Sequence, residues 1–261
     1  MIPEIFIQRW RKNIDWQTPV QVEQDLIISR ALVDLYNEPR ISEALVFRGG
    51  TALNKLFLKP PSRYSEDIDF VQKSAEPIGQ TINAIRAVLH PWLGDPKWKI
   101  TERSAKLIYK YEAINKLSAK LKIEINTTEH FQVLPFRLEE FDVQSDWWSG
   151  KTKIVTYEID ELMATKLKAL YQRRKGRDLF DLWFVTQNDL VNLKRVFEIF
   201  ERYCVNDKYH FSRDEFLKNL ELKRDHLDFQ SDMHALLPVG LKWNFDAAYQ
   251  FVVDNVISKL P

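Results

Sequence analysis

The 261-residue chain has very little cysteine and no long apolar run. Cys204 is its only cysteine, which excludes an intrachain disulfide and a metal site built from several thiolates. Its apolar runs fall far short of the roughly 20 residues that a membrane-spanning helix needs. The first residues include Glu4, Arg9 and Arg11 and lack the apolar core of a signal peptide. We therefore expect a cytoplasmic protein with no membrane partner.

The chain also lacks a strong charge of either sign, with 38 Lys and Arg against 37 Asp and Glu. Internal repeats and low-complexity tracts are not visible either. Eight Trp, sixteen Phe and a hydrophobic content of 45% argue against disorder and are ample for a packed core. The composition predicts a globular protein with one large domain or two modest ones.

Two adjacent glycines, Gly49 and Gly50, follow a short apolar run, and residues 51–58 then have helical spacing. This pattern predicts a strand, a tight turn and a helix. Backbone without side chains can approach a ligand closely, and the N–H groups at a helix N-terminus bind phosphate. Thr51 and Ser65 would add hydroxyl donors near the same place.

Downstream, the two-residue period of a strand puts Asp67 and Asp69 on one face and Ile68 and Phe70 on the other. Like charges at neighbouring positions repel, so a cation that bridges both carboxylates would turn an unfavourable pair into a binding site. Mg²⁺ binds through one or two carboxylates together with substrate phosphates. A lone diglycine is commonly only a turn, and a lone Asp-x-Asp a solvated strand face. Together, in this order, they predict an Mg²⁺ and phosphate site.

Both patterns lie in the stretch FRGGTALNKLFLKPPSRYSEDIDF, residues 47–70, which resembles the AbiEii/AbiGii toxin family. That family belongs to the DNA polymerase β-like nucleotidyltransferase superfamily, whose signature is a Gly-Gly or Gly-Ser turn followed by Asp-x-Asp. The gap between Gly50 and Asp67 is longer than in the minimal motif, but residues 63–67 fit the family pattern. The resemblance implies an α+β fold, with a nucleotidyltransferase-like mixed sheet flanked by helices and a helical C-terminal lobe.

Glu124 is a candidate third carboxylate. Alternation over residues 121–126 sends it away from the core, and on that ground alone it is an exposed strand residue. The resemblance implies another acid on a neighbouring strand, which ligates a second metal ion or takes the proton from the attacking hydroxyl. Glu129 and His130 follow at the end of this strand as further candidates.

A second stretch, ELMATKLKALYQRRKGRDLFDLWFV at residues 161–185, also resembles the family. Helical spacing places Lys166 toward the interior, where an ammonium needs a partner; a surface position is the alternative. The resemblance implies that Lys166 contacts the triphosphate of a bound NTP. It also implies that Asp178 is the acid of the last motif, with Asp181 as the competing candidate.

Six basic residues and no acid lie between Lys166 and Arg177. Such a run is commonly a solvated helix face. A surface for RNA phosphates is the alternative, with Arg173, Arg174 and Lys175 as the candidate contacts.

Elsewhere the pattern predicts helices, strands and one loop. A helix from Pro19 should begin at the N-cap Thr18, and the acids at its start need no role beyond the helix dipole. The predicted segments are helices 19–37, 77–89 (ended by Pro91), 159–171, 190–203, 214–225 and 246–260, strands 97–103, 106–113 and 121–126, and a loop at 147–153.

We expect residues 1–155 to form the nucleotidyltransferase-like core and residues 156–261 a helical lobe that contributes Lys166 and Asp178 to the site. The resemblance implies a toxin that transfers a nucleoside monophosphate from an NTP to RNA, at the 3′ end of tRNA, and that a cognate antitoxin neutralises. Two alternatives stay open. One is transfer to a protein or small-molecule hydroxyl, and the other is a catalytically silent protein-binding module on the same fold.

Overall fold

The structure, a computed structural model, describes residues 2–208 and 210–261. It divides into two compact units. The α/β unit consists of Met1–His130 and Phe136–Tyr157, and the helical unit consists of Phe131–Pro135 and Glu158–Pro261. No helix in the described residues is long and apolar enough to cross a membrane.

A seven-stranded mixed sheet forms the α/β unit. Its strands are β1 (Leu45–Arg48), β2 (Asp67–Gln72), β3 (Lys97–Ile100), β4 (Ser104–Glu112), β5 (Ser118–Asn126), β6 (Arg137–Gln144) and β7 (Ser149–Thr156). Their order across the sheet is β3-β4-β5-β2-β1-β7-β6. The β2–β5 and β1–β7 pairs are parallel, and the other neighbours are antiparallel. This mixed sheet confirms the predicted fold class.

Five helices accompany the sheet: α1 (Glu4–Trp10), α2 (Pro19–Tyr36), α3 (Pro39–Ala44), α4 (Gly49–Ala52) and α5 (Gly79–Leu93). As predicted, α2 begins with Pro19 after Thr18, whose side chain accepts a hydrogen bond from the Gln21 N–H. Gln21 returns a bond to the Thr18 backbone, which completes a capping box. A π-helical turn, Leu53–Phe57, continues α4.

One face of the sheet is buried and the other is partly exposed. Ile68, Phe70 and Ile123 lie on the buried face, which α2 and α5 contact. Burial of each such side chain contributes about 1.5–3 kcal/mol, so a one-residue slip in register would be costly. The opposite face carries Asp67 and Asp69, and we call it the site face. The predicted alternation of these strands is confirmed.

The structure corrects two predictions in the α/β unit. Residues 147–153 were expected to form a loop, but β7 begins at Ser149 and pairs with β6, a strand that the pattern did not predict. Most β6 residues are at least partly exposed, as on an edge strand, so the sequence lacks a clear apolar alternation there. Helix α5 also continues through Pro91 to Leu93. Pro91 lies exposed in the last turn, where a lost backbone hydrogen bond costs least.

Within the described residues the helical unit contains helices and no strands. They are α6 (Ile159–Gln172), α7 (Gly176–Gln187), α8 (Leu193–Asn206), α9 (Arg213–Arg224), α10 (Leu227–Ser231) and α11 (Phe245–Asn255). Phe200, Phe216 and Phe229 are fully buried in it. Glu161 joins the segment Phe131–Pro135 to α6, since its carboxylate accepts the N–H groups of Val133 at 2.7 Å and Leu134 at 2.8 Å.

Candidate active site

The diglycine turn and the second aspartate meet at the ends of β1 and β2. Arg48, the last residue of β1, lies opposite Asp69 in the antiparallel register. Gly49 follows with a φ of +81°, a conformation that L side chains rarely adopt. A Cβ at Gly49 would lie 2.7 Å from Asp69 Oδ2. The predicted proximity of turn and carboxylate is therefore present.

Gly50 is required for a different reason. A Cβ there would collide with the guanidinium of Arg63, a side chain that is only 1% exposed. Asn54 connects the same parts, because its amide donates to the Gly50 carbonyl at 2.9 Å and its Oδ1 accepts the Arg63 N–H at 3.1 Å. Asn54 and Arg63 therefore hold the loop before β2 against the turn. The sequence alone predicted no role for the side chain of Asn54 or Arg63.

Thr51 and Ser65, which were predicted to bind phosphate, form a hydrogen bond with each other through their hydroxyl groups. Their oxygens are 2.7 Å apart, and Thr51 Oγ1 donates to the Asp67 carbonyl at 2.5 Å. Because Thr51 has one hydroxyl hydrogen, Ser65 must donate to Thr51 in this arrangement. Both hydrogens are thus engaged within the protein, and donation to a phosphate requires a hydroxyl rotation. The phosphate role of these residues stays a prediction.

Two of the three predicted acids are paired with lysines. Asp67 lies opposite Lys122 in the parallel β2–β5 register, and its Oδ2 is 2.7 Å from Lys122 Nζ. Glu124 Oε1 lies 3.0 Å from Lys106 Nζ, and its Oε2 lies 3.4 Å from Lys122 Nζ. Although burial opposes the ammonium, these contacts leave the pKa of Lys122 raised. The residues alone gave no sign of these lysine partners.

Asp69 differs from both. It lies opposite Glu124 in the β2–β5 register, and its carboxylate has no hydrogen bond or ion pair within residues 2–208 and 210–261. Burial raises the pKa of Asp69, and the Asp67 charge raises it further. Arg48 and Lys122 act in the opposite direction without outweighing these effects. The nearby cations therefore compensate the ionised form of Asp69 only in part.

Asp69 and Asp67 suit a divalent cation that also has ligands from a substrate. Asp69 has no partner in the described part of the chain, and Lys122 Nζ lies 2.7 Å from Oδ2 of Asp67. The described residues contain no group of three His, Cys, Asp or Glu side chains placed to hold a metal ion. Two carboxylates are a donor set that fits Mg²⁺ when phosphate oxygens complete its coordination. The assignment of Glu124 as a third ligand stays a prediction.

Helix α2 supports the site from the buried side. Asp25 accepts the indole N–H groups of Trp10 at 2.9 Å and Trp16 at 3.2 Å, and lies 2.7 Å from Lys55 Nζ, next to the turn. The Gln24 amide donates to the Glu66 carbonyl at 2.8 Å, just before β2. The helix dipole alone is therefore an incomplete explanation of the polar start of α2, because these side chains are buried and position the site.

The two candidate residues that follow β5 have structural partners. Glu129 Oε2 lies 2.8 Å from Arg48 Nη1, and His130 Nδ1 lies 2.8 Å from the Gln72 carbonyl. Arg48 was not among the predicted site residues, although it directly precedes the diglycine. Its guanidinium brings positive charge next to Asp69.

In the helical unit, the predicted lysine and both candidate acids of the last motif form one cluster. Lys166 Nζ lies 3.0 Å from Asp178 Oδ1 and 3.0 Å from Asp181 Oδ2. The lysine side chain is 7% exposed and both aspartates are fully buried. Within this unit, the partners of the inward lysine are thus carboxylates. Whether Lys166 also contacts a triphosphate, and which aspartate serves the last motif, stay predictions.

The three candidate RNA contacts are not equivalent. Arg173 donates to both oxygens of Asp178, at 2.7 and 3.0 Å, although its side chain is 55% exposed. Burial would raise the pKa of Asp178, but Lys166 and Arg173 outweigh it and hold that pKa well below its usual range. Arg174 and Lys175 are exposed. Their RNA contact also stays a prediction.

A mixed sheet that brings a diglycine turn against an Asp-x-Asp strand defines a nucleotidyltransferase fold. The family model described as nucleotidyl transferase AbiEii toxin, type IV toxin–antitoxin system, matches residues 30–251, and the chain belongs to this family. It is therefore a nucleotidyltransferase toxin of a type IV toxin–antitoxin family. Membership implies an NTP substrate and an antitoxin partner.

Two solved structures share the fold. The chain is similar to MenT4, a nucleotidyltransferase toxin from Mycobacterium tuberculosis H37Rv, with 18% identity and a TM-score of 0.71 over 100% of this chain and 91% of that one. It is also similar to JHP933 from Helicobacter pylori, with 16% identity and a TM-score of 0.50 over 94% and 96% of the two chains. A comparison with curated proteins gives no match.

Proposed function

We propose that this toxin is an Mg²⁺-dependent enzyme of the bacterial cytoplasm that transfers a nucleoside monophosphate from an NTP to the 3′ end of tRNA. A cognate antitoxin neutralises it. The observation that carries the proposal is the carboxylate of Asp69. It lies against the Gly49 turn, with a raised pKa and no partner among the described residues. A cation brought by a nucleotide is the partner that this arrangement accommodates.

The nucleotide phosphates bind at the turn. The backbone N–H groups of Gly49 and Gly50 face the β and γ phosphates, and the absence of side chains permits close approach. Asp67 and Asp69 are the residues that would hold Mg²⁺, with phosphate oxygens of the nucleotide as further ligands. The ion would supply positive charge to the reacting phosphate.

The reaction is an in-line displacement. The 3′ hydroxyl oxygen of the acceptor forms a bond to the α-phosphorus, and the bond from that phosphorus to the β-phosphate oxygen breaks. Pyrophosphate leaves with the electron pair of that bond. Glu124, whose strand neighbours β2, is the candidate acceptor for the hydroxyl proton. Catalysis is mostly positioning and charge neutralisation.

We also propose a role in NTP binding for Lys166, the lysine that the family resemblance singles out. A lysine ammonium is carried on a flexible four-carbon stem, so its partners determine where it lies. Asp178 and Asp181 fix it at 3.0 Å each. We assign charge compensation of the NTP to Lys166 and its orientation to the two aspartates, with Arg173, Arg174 and Lys175 as additional RNA contacts.

The acceptor can be tested directly. Purified protein is incubated with each of the four NTPs, labelled at the α-phosphate, together with Mg²⁺ and either total tRNA or total protein. The proposal predicts labelled tRNA, no label after addition of a chelator, and no label with the Asp69→Asn variant. Cleavage of the 3′-terminal nucleotide should release the label.

Each other outcome identifies a different function. A labelled protein band would show that the acceptor is a protein hydroxyl, and the tRNA assignment would then be wrong. Labelled tRNA in the presence of a chelator would contradict the metal dependence. A catalytically silent module predicts no label with any acceptor, and the intact Gly49, Gly50, Asp67 and Asp69 argue against it.

A further inference from the structure

Lysines crowd the part of the site face that lies beyond Asp67 and Asp69. On β3, β4 and β5 every second residue points to this face, and six of these residues are lysines while two are acids. The acids are Glu112 and Glu124. The lysines, which we call the lysine row, are Lys97, Lys99, Lys106, Lys110, Lys120 and Lys122.

The lysine row contains like charges in direct opposition. Lys99 lies opposite Lys106, and Lys110 lies opposite Lys120. Such pairs are destabilising in a sheet unless a counter-charge is present. Lys97, Lys99, Lys110 and Lys120 are exposed, and none of the four has an ion pair within the described residues.

The opposite edge of the same sheet, formed by β6 and β7, pairs its lysines with acids. Lys151 on β7 lies opposite Asp142 on β6, and Lys153 lies opposite Glu140. Lys153 Nζ and Glu140 Oε1 are 3.0 Å apart. There each strand lysine has a carboxylate across from it. The opposed lysines are therefore specific to the β3–β5 side.

The lysine row leads directly to the candidate active site. In the strand register, Lys99 is followed across the sheet by Lys106, then Glu124, then Asp69. Neighbouring strands are about 4.8 Å apart, so this line covers roughly 14 Å from β3 to β2. That length suits several successive phosphates of a strand better than one compact triphosphate.

We propose that the lysine row binds the phosphate backbone of the acceptor RNA near its 3′ end and leads the terminal hydroxyl to Asp67 and Asp69. This inference rests on the proposed function and identifies the surface that holds the acceptor. Lysines act as point charges on phosphates, so the contact is independent of base sequence. It also neutralises the opposed lysine pairs.

The test removes four lysines that have no ion pair among the described residues and no contact with the candidate catalytic acids. A variant with Lys97→Gln, Lys99→Gln, Lys110→Gln and Lys120→Gln is compared with the wild type and with a control that carries Lys151→Gln and Lys153→Gln. Fluorescence anisotropy measures the affinity for a labelled tRNA pool and for a single-stranded RNA as the salt concentration increases. The same preparations are titrated with NTP.

The fourfold variant should bind both RNAs at least about tenfold more weakly at low salt. The slope of log affinity against log salt should fall in magnitude by about 3, since each lost phosphate contact contributes about 0.7 on single strands. NTP affinity and circular dichroism should match the wild type. The control should keep the wild-type slope.

The outcomes separate this inference from the proposed function. Wild-type RNA affinity and slope in the fourfold variant, with tRNA still labelled, would overturn the inference and leave the function standing. Binding through the lysine row without any labelled tRNA would do the reverse. If the variant keeps its RNA affinity but escapes neutralisation by the antitoxin, the row docks a protein and the inference is wrong.

Discussion

Two buried or partly buried aspartates in the two units have opposite electrostatic surroundings. Asp178 in the helical unit has Lys166 and Arg173 on its carboxylate, and its pKa is lowered. Asp69 in the α/β unit has no partner within the described residues, and its pKa is raised. A carboxylate with two cations is already compensated, whereas one without a partner lacks its counter-charge. Under the proposed function, the difference separates a fixed ion-pair cluster from a site for a cation that arrives with substrate.

The comparison predicts the largest effect on activity at Asp69. Asp69→Asn should reduce NMP transfer by roughly 10³-fold or more, because under the proposed function it removes charge that holds Mg²⁺ at the reacting phosphates. Its control is Glu112→Gln, which should keep wild-type activity. Glu112 is an exposed acid on β4 and lies on the same face of the sheet as Asp69. Initial rates of label transfer measure both variants.

The same variant should not lose stability at neutral pH. The raised pKa of Asp69 means that its contribution to stability is fully present below about pH 4 and is lost as the pH rises through the higher folded-state pKa. Asn carries no charge, so the variant avoids the cost of burying an ionised carboxylate. Asp69→Asn should therefore be at least as stable as the wild type at pH 7 and should lose this advantage below pH 4. A destabilised variant at pH 7 would show that Asp69 has an internal partner.

At Asp178 the comparison predicts a loss of stability instead. Lys166→Met would leave Asp178 and Asp181 as buried charges with less compensation, which costs about 3–5 kcal/mol. Urea denaturation followed by circular dichroism measures the change. Lys194→Met, at an exposed position of α8, should change stability by less than about 0.5 kcal/mol. A loss below about 1 kcal/mol in Lys166→Met would contradict the ion-pair cluster.

Gly49→Ala sharpens the view of the Asp69 side. Its Cβ would meet Asp69 Oδ2 at 2.7 Å, and the positive φ adds strain of about 1–3 kcal/mol. Gly94→Ala is a matched control, because Gly94 also has a positive φ, +71°, but nothing lies within 4 Å of an added Cβ. Both variants should be less stable, and only Gly49→Ala should lose transfer activity. Equal transfer activity in the two variants would show that the Gly49 turn is not part of the active site.

The smallest effect is expected at the exposed partner of Asp178. Arg173→Ala should cost about 1 kcal/mol at pH 7, since its side chain is 55% exposed and solvent screens the contact. The lowered pKa of Asp178 gives stability that is present above about pH 4 and is lost on further acidification. Loss of Arg173 should therefore make the acid transition shallower. The neighbouring Arg174→Ala should leave denaturation curves at pH 7 and pH 3 unchanged.

Local patterns revealed the turn and the strand that carries Asp67 and Asp69. The diglycine after an apolar run, and acids alternating with buried Ile68 and Phe70, are signals within a few residues of one another. The capping box of α2 is equally local. Strand β6 was missed because most of its residues are at least partly exposed. Its sequence therefore lacks a clear alternation of apolar and polar residues.

Partners distant in sequence could not be predicted. Lys122 contacts Asp67 only because β2 and β5 run parallel in a particular register, and a single sequence does not encode that register in any local pattern. The like-charged pairs of the lysine row depend on register in the same way. The partners of Lys166 lie on the next helix, α7, and the sequence alone did not distinguish them from a phosphate.

Mn²⁺ binding in the presence of a non-hydrolysable NTP analogue tests the central claim most directly. Electron paramagnetic resonance counts the bound Mn²⁺ in the wild type, Asp69→Asn and the control Glu112→Gln. The account predicts that the wild type and the control bind the metal–nucleotide complex alike, and that Asp69→Asn binds it at least about tenfold more weakly. Equal affinity in all three proteins would contradict the assignment of Asp69 as a metal ligand.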